Sequence, residues 1–333
     1  MLKETIRRLT LAGLAIVIAS ASASAQEKMT LTLNFLAQPA QAGFFLAQKR
    51  GYYKDAGIDL TIVEGKGSAV TSQQIAAGQT DIGFVGTQVV MDLISKGAPI
   101  KIVSAVIQGN FMSLATRAQD NIKTPQDLIG KTIAGCPGCA QVPMVYALLD
   151  REKIDKSKVT IINADASAMI GLLSGGKIDA AAADPNTISI EMKKRGEKVN
   201  DMFFQDYGIR LINFVLAART DRLAAKGDLY KRFIAASIKG WDEIRRNPDE
   251  TVAALREQYP EIKLDKDTLR LQLTQGIVPF ICIPASPGVG RASTAAWEGT
   301  YEVLTKYMGF KTDKPVSAFY TDEYLPASLP SCS

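Results

Sequence analysis

The stretch "IAAGQTDIGFVGT", residues 75–87, ends an apolar helix-like run at Gly78, crosses a G-x-x-D turn to Asp81, enters a short apolar strand and breaks into a loop. The same succession returns as "LLSGGKIDAAAAD", residues 172–184, where Asp179 stands 98 positions after Asp81. Either the two are chance copies of a common helix-to-strand turn, or the chain contains one architectural unit twice. Their like position within each half favours the second reading, two related lobes.

Outward from the first unit the pattern alternates. Met29 to Phe35 reads as a strand, and "AGFFLAQKRG" places Ala42, Phe45 and Leu46 on one helical face before Gly51. "IDLTIVEG" is the next strand, and Ser68 can cap a helix running to Gly78. The strand Ile82 to Val85 is followed by a helix with Val89, Val90, Leu93 and Ile94 inward and Gly97 as its stop, then by the strand Lys101 to Ile107. The second half repeats this with strands at 131–135, 159–164 and 178–183 and helices at 142–150 and 167–174. Such alternation predicts α/β architecture, mainly parallel sheets flanked by helices. The run "LINFVLAART" after Arg210 resembles "FMSLATRA" at 111–118, as if the chain crosses between lobes twice. The remainder reads as helices at 229–246, 249–258, 266–276 and 292–308, expected to return onto the first lobe. The expected division is 26–109 with 216–333 for lobe I and 110–215 for lobe II.

The first 25 residues read as a signal peptide. Lys3, Arg7 and Arg8 precede an apolar run from Leu9 to Ile18, too short to span a bilayer, and Ala23-Ser24-Ala25 is a small-residue cleavage site. The mature chain is expected to begin at Gln26 and to be periplasmic. Arg7-Arg8 leaves the twin-arginine route open beside general secretion. Without Lys3, Glu4, Arg7 and Arg8 the net charge falls from +5 to +3, with basic residues scattered, so nucleic-acid binding has no footprint. The chain contains no histidine. That removes Ser-His-Asp and Cys-His nucleophile systems, zincin motifs and most catalytic zinc sites together.

Four cysteines in an exported chain allow three pairings. Cys136–Cys139 and Cys282–Cys332 are expected, the second tying the C-terminal tail to "PFICIPASPG"; free thiols are the alternative for the first pair. The C-x-x-C spacing in "IAGCPGCAQ" also suits a redox centre or a zinc knuckle, but zinc would need two more ligands and no histidine is on offer.

Three stretches carry a family resemblance: "FLAQPAQAGFFLAQKRGYYKDAGIDLTIVEGKGSAVTSQQIAAGQTDIGFVG" at 35–86, "IKTPQDLIGKTIAG" at 122–135 and "LLSGGKIDAAAADP" at 172–185. In this order, behind a signal peptide, they resemble the type II periplasmic substrate-binding proteins of ABC importers, in the branch serving nitrate, sulfonates, taurine and thiamine precursors. The resemblance implies two α/β lobes joined by two hinge crossings, closing on one small ligand and docking on an inner-membrane permease. No cofactor or metal is implied, and a monomer is expected. A related fungal enzyme makes the thiamine pyrimidine with a histidine of its own chain and pyridoxal phosphate; this chain lacks that histidine. A ligand sensor of a signalling system is the other alternative.

In open parallel α/β sheets ligands sit at the carboxyl ends of strands, beside helix N-termini. Lobe I then offers Gln38 and Gln41, with Phe44, after its first strand; Gly67-Ser68; and Gly86-Thr87. Lobe II offers Gly135, Cys136 and Gly138, with Asp184 and Asn186, and Asn110 lies beside Gln108 and Gly109 at the first hinge. Each has a plainer reading: loop solvation for Gln38 and Gln41, surface cover for Phe44 since only one of Phe44 and Phe45 can face the core and Phe45 fits it, capping for Ser68 and Thr87, turn formation for Asp184 before Pro185. Arg210 reads as a surface or interlobe ion pair, with contact to an anionic ligand as the alternative. The predominance of amide, hydroxyl and aromatic groups, Phe111 among them, leans toward a neutral or mildly anionic organic ligand: a sulfonate, a thiamine-pyrimidine-like or another heterocyclic compound.

Overall fold

The computed structural model describes residues 26–136 and 141–332. The chain runs β1 (Glu27–Thr32), α1 (Ala42–Lys49), α2 (Tyr52–Asp55), β2 (Ile58–Val63), α3 (Ser68–Ala76), β3 (Ile82–Gly86), α4 (Thr87–Ser95) and β4 (Ile100–Ile107). It then crosses to β5 (Ser113–Arg117) and continues through β6 (Thr132–Gly135), α5 (Gln141–Arg151), β7 (Thr160–Asn163), α6 (Ala166–Ser174), β8 (Ala180–Ala183), α7 (Ser189–Lys194) and β9 (Val199–Phe203). A second crossing delivers β10 (Phe214–Arg219). Six helices follow: α8 (Thr220–Ala225), α9 (Gly227–Glu243), α10 (Pro248–Gln258), α11 (Lys266–Gly276), α12 (Val278–Ile281) and α13 (Thr294–Tyr307).

Two five-stranded sheets result, ordered β2-β1-β3-β10-β4 and β7-β6-β8-β5-β9. They have one topology: first, second, third and fourth strands run parallel, and the strand arriving from the other lobe inserts antiparallel between the third and fourth. The sheets are therefore mixed by one strand each, and that strand is the crossing itself. The related runs at 111–118 and 211–220 are these two inserted strands.

The G-x-x-D units have a physical reason for recurring. The third strand joins the first at Leu31↔Ile82 in one sheet and at Ile133↔Ala180 in the other. One residue before each junction an N–H of the first strand has no third-strand carbonyl opposite it. Asp81 Oδ2 accepts from Thr30 N at 2.8 Å, and Asp179 Oδ2 accepts from Thr132 N at 2.9 Å. Each aspartate thus extends the ladder by one rung and sets the register at which the sheet begins to widen. Basic side chains lie beside both: Arg222 pairs with Asp81 at 2.7 Å, and Lys131 with Asp179 at 3.4 Å.

Lobe I is thick because α1 is enclosed between the sheet and the C-terminal helices α9 and α10. Gly43 and Gly240 permit that contact: a Cβ on Gly43 would fall 2.5 Å from the Trp241 ring, and one on Gly240 2.3 Å from the Gly43 carbonyl. Helices α9 and α10 return to lobe I as expected, but α13 does not pack there alone. It lies against α5 of the other lobe, with Tyr307 Oη donating to Asp150 at 2.8 Å and Thr300 Oγ1 accepting from Ile212 N at 2.9 Å. The tail beyond it pairs along the exposed edge of β4, Ile102 N donating to Phe319 O and Thr321 N to Ile102 O, so that edge is not left open.

Candidate functional site

The carboxyl ends of the parallel strands in both sheets border one interlobe cavity of about 330 Å³. Lobe I contributes Gln38, Pro39 and Ala40, and lobe II contributes Asp184, Asn186 and Thr187. The crossings supply one ring each, Phe111 and Phe214, and the end of α11 closes a side with Gln272 and Ile277.

Each wall is held from behind. On the lobe I side Pro39 starts a tight turn after extended Gln38, and the fully buried Gln41 braces it. Gln41 Oε1 accepts from Gln38 N at 3.1 Å while its Nε2 donates to Asn34 Oδ1 at 2.6 Å. Glu64 accepts from Ala37 N at 2.6 Å. On the lobe II side Asp184 Oδ1 accepts from the backbone of Asn186 at 2.9 Å and of Thr187 at 3.3 Å, an Asx turn that presents the Asn186 side chain to the cleft. Burial pushes the Asp184 carboxyl above its ordinary range against the pull of these bonds.

Asn186 is one of the points where the lobes touch. Its amide lies over Gly276 at the end of α11, where a Cβ would come within 1.9 Å of Asn186 Oδ1. That oxygen is buried and has no hydrogen-bond partner among the described residues, so it is an acceptor available to a ligand donor. Nearby, Lys194 of α7 pairs with Asp265, the N-cap of α11, at 3.5 Å. The lobes therefore meet around the cavity in this conformation.

The floor is aromatic. Phe111 stacks near Phe214 with centroids 6.2 Å apart and meets Phe280 edge-on at 6.0 Å, and Phe280 packs on Phe203 at 5.2 Å. Amide groups tie the two crossings beneath it. Asn110 Nδ2 donates to Ile209 O at 3.1 Å, and Asn213 Nδ2 donates to Gly109 O at 2.6 Å.

Of the residues expected at the site, Gln38, Asp184 and Asn186 line the cavity, as does Phe111. Several others sit elsewhere. Gln41 is a brace with both ends of its amide engaged. Phe44 is fully buried between Phe84 and Trp241, each 5.3 Å away, because α1 is enclosed on more than one face and both Phe44 and Phe45 belong to the core. Thr87 is buried, with its N–H and hydroxyl both donating to Asn213 O, so it anchors the start of β10. Asn110 is a buried tie between crossings. Ser68 Oγ accepts from Gly86 N at 2.9 Å, joining the N-terminus of α3 to the end of β3, and Gly67 opens α3 with φ +112°. Gly135 ends β6 against Val142, where a Cβ would sit 2.4 Å from Cγ2. Cys136 follows, half-buried and disulfide-bonded; Gly138 and Cys139 lie outside the described residues. Cys282 and Cys332 are bonded to each other as expected, with Cα atoms 5.5 Å apart.

Pro39, part of the loop expected after the first strand, also lines the cavity, whereas Ala40, Thr187, Phe214, Gln272 and Ile277 were not anticipated. Phe214 had a signal, since it lies within the run, 211–220, that resembles the one Phe111 opens. The residues of α11 had none: only the return of the C-terminal helices brings them to the cleft.

The sequence profile of the family described as NMT1/THI5 like matches residues 38–251. The chain is 22% identical over 306 residues to the riboflavin-binding protein RibY of Chloroflexus aurantiacus, covering 90% of this chain and 86% of that protein. It is 22% identical over 233 residues to the formylaminopyrimidine-binding protein of Halalkalibacterium halodurans, covering 69% and 70%. A shorter match, 29% over 106 residues and about a third of each chain, is to the 4-amino-5-hydroxymethyl-2-methylpyrimidine phosphate synthase of Schizosaccharomyces pombe. Among solved structures the periplasmic aliphatic sulphonate binding protein SsuA of Escherichia coli superposes with a TM-score of 0.68 at 14% identity, covering 90% of this chain and 99% of that one.

Proposed function

Because the chain belongs to the NMT1/THI5-like family, we propose that it is a periplasmic solute receptor of an ABC-type importer, without enzymatic activity, that closes two lobes on one small organic molecule. The carrying observation is the cavity whose walls come from both sheets, both crossings and α11, with its lobes in contact at Asn186 and Gly276. A ligand that touches both walls stabilises the closed arrangement over the open one by its differential contacts, and the closed form is what an inner-membrane permease would recognise. On this reading residues 1–25 are a signal peptide cleaved after Ala25. Lobe I comprises 26–109 with 216–333, lobe II comprises 110–215, and the mature receptor works as a monomer.

The lining favours a ligand that is flat and carries N–H groups. Phe111 and Phe214 offer ring surface, Asn186 Oδ1 lacks a donor, and the raised Asp184 carboxyl gains from any donor or cation placed beside it. Pyrimidine-like and other heterocyclic amines fit this set better than nitrate, and sulfonates remain within reach of backbone N–H groups and the Gln38 and Gln272 amides. A wrong ligand leaves these buried groups unpaired, which is the source of selectivity. The synthase relative covers only a third of the chain, and this chain has no histidine to act as proton carrier or ligand.

The test is a thermal-shift series on residues 26–333 with aminopyrimidines, riboflavin, aliphatic sulfonates and aromatic acids. A ligand at a hundred times its Kd adds about 2.7 kcal/mol, a rise of roughly 5 °C for a chain of this size. If no compound shifts the midpoint, and added pyridoxal phosphate instead gives a new visible absorbance, the receptor reading fails.

A further inference from the structure

A second cavity, of about 230 Å³, lies at the crossings and shares no lining residue with the cleft. Its walls are Gln108, Gly109 and Asn110 of the first crossing, Gln205, Asp206 and Arg210 of the second, and Ile283 and Pro284 beyond α12. Along the first crossing, residues 108–110 face this cavity while the next residue, Phe111, faces the cleft.

Its polar groups are arranged without satisfying one another. Gln108 is 1% exposed, and its Nε2 donates to Gly288 O at 2.8 Å. That bond fixes the amide's orientation and leaves Oε1 buried with no partner among the described residues. Gln205 Oε1 is likewise buried and unpartnered, lying where a Cβ on Gly109 would come within 2.9 Å of it. Asp206 and Arg210 bring opposite charges to the same wall, yet neither forms an ion pair or hydrogen bond with a described residue. Asp206 is exposed at the rim of the cavity, and partial desolvation there moves its carboxyl up from its ordinary range.

We propose that this cavity is a second ligand site, for a small aminocarboxylate, with Gln108 Oε1 and Asp206 accepting from its amino group and Arg210 donating to its carboxylate. The volume equals the liquid share of roughly eight waters, enough for an amino acid between glycine and glutamine in size. On the proposed closing of the lobes, the two crossings that form these walls are where the lobes turn, so an occupant here couples to the cleft: whatever it does to closure, cleft ligand does reciprocally to its affinity. The site stands on the hinge geometry and does not depend on the identity of the cleft ligand.

Isothermal titration of residues 26–333 with glycine, alanine, aspartate and glutamine tests it, using the wild type, Arg210→Ala and Asn186→Ala. Arg210 is exposed, so its removal leaves the core untouched. At least one of the four should bind wild type, with affinity falling about ten- to a hundredfold in Arg210→Ala through loss of a charged hydrogen bond and shifting by less than that in Asn186→Ala, which reaches this site only through closure. Absence of binding by all four at millimolar concentration overturns the proposal. So does binding lost in Asn186→Ala and kept in Arg210→Ala, which would place the amino acid in the cleft.

Discussion

At the scale of single residues, Asp81 and Asp179 explain why a G-x-x-D turn occurs twice. Each carboxylate satisfies the one N–H of a first strand that the third strand reaches too late to cover. Replacing either by Ala removes an acceptor from a partly buried N–H, and each substitution should destabilise its lobe by about 1–3 kcal/mol. Urea denaturation would give the total, and hydrogen exchange should show faster exchange at Thr30 in Asp81→Ala and at Thr132 in Asp179→Ala, with the other lobe unchanged. Equal loss of protection in both lobes would count against this local role. These aspartates were legible in the sequence because their chemistry is local to a helix-to-strand turn. Phe44 and Thr87 were not, because whether a helical side chain faces core or cleft depends on elements more than a hundred positions away, Trp241 for the one and Asn213 for the other.

At the scale of elements, α11 has the part that the pattern of the chain left unstated. As a helix it was readable from 266 to 276; the structure adds Asp265 as its N-cap, whose bonds from the Thr268 N–H and hydroxyl hold its carboxyl down to about 2. That it forms a side of the cleft and receives Asn186 against Gly276 follows only from its packing on α10 and its approach to α7. Gly276→Ala tests that role. A methyl there collides with the Asn186 amide across the lobes but suits the helix itself, since Ala is the better helix former. Ligand affinity should fall by about tenfold or more, because a wedge at the contact disfavours the closed form, while the thermal midpoint of the unliganded protein holds or rises slightly. A fall in that midpoint with unaltered affinity would show that Gly276 matters for folding and not for closure.

At the scale of the whole molecule, two sheets of one topology exchange a strand each, and the C-terminal third binds the assembly together. The tail covers the edge of β4 and is pinned by Cys282–Cys332 across 50 residues. Loop-closure entropy for that span predicts that replacing both cysteines by alanine costs about 4 kcal/mol, measurable as a lower urea midpoint in the doubly substituted chain; no change on reduction or substitution would mean the tail is held by its edge pairing alone. The sequence by itself determined the α/β class, the doubled unit and the two crossings, because periodicity and turn chemistry are properties of short stretches; the cysteine count left three pairings, of which the structure has Cys282–Cys332. Only the tertiary structure decided that each inserted strand runs antiparallel, that α13 reaches the second lobe, and that Phe214 and α11 complete the cleft. Those outcomes depend on which surfaces meet after the chain has crossed twice, and no local pattern records where a distant helix comes to rest.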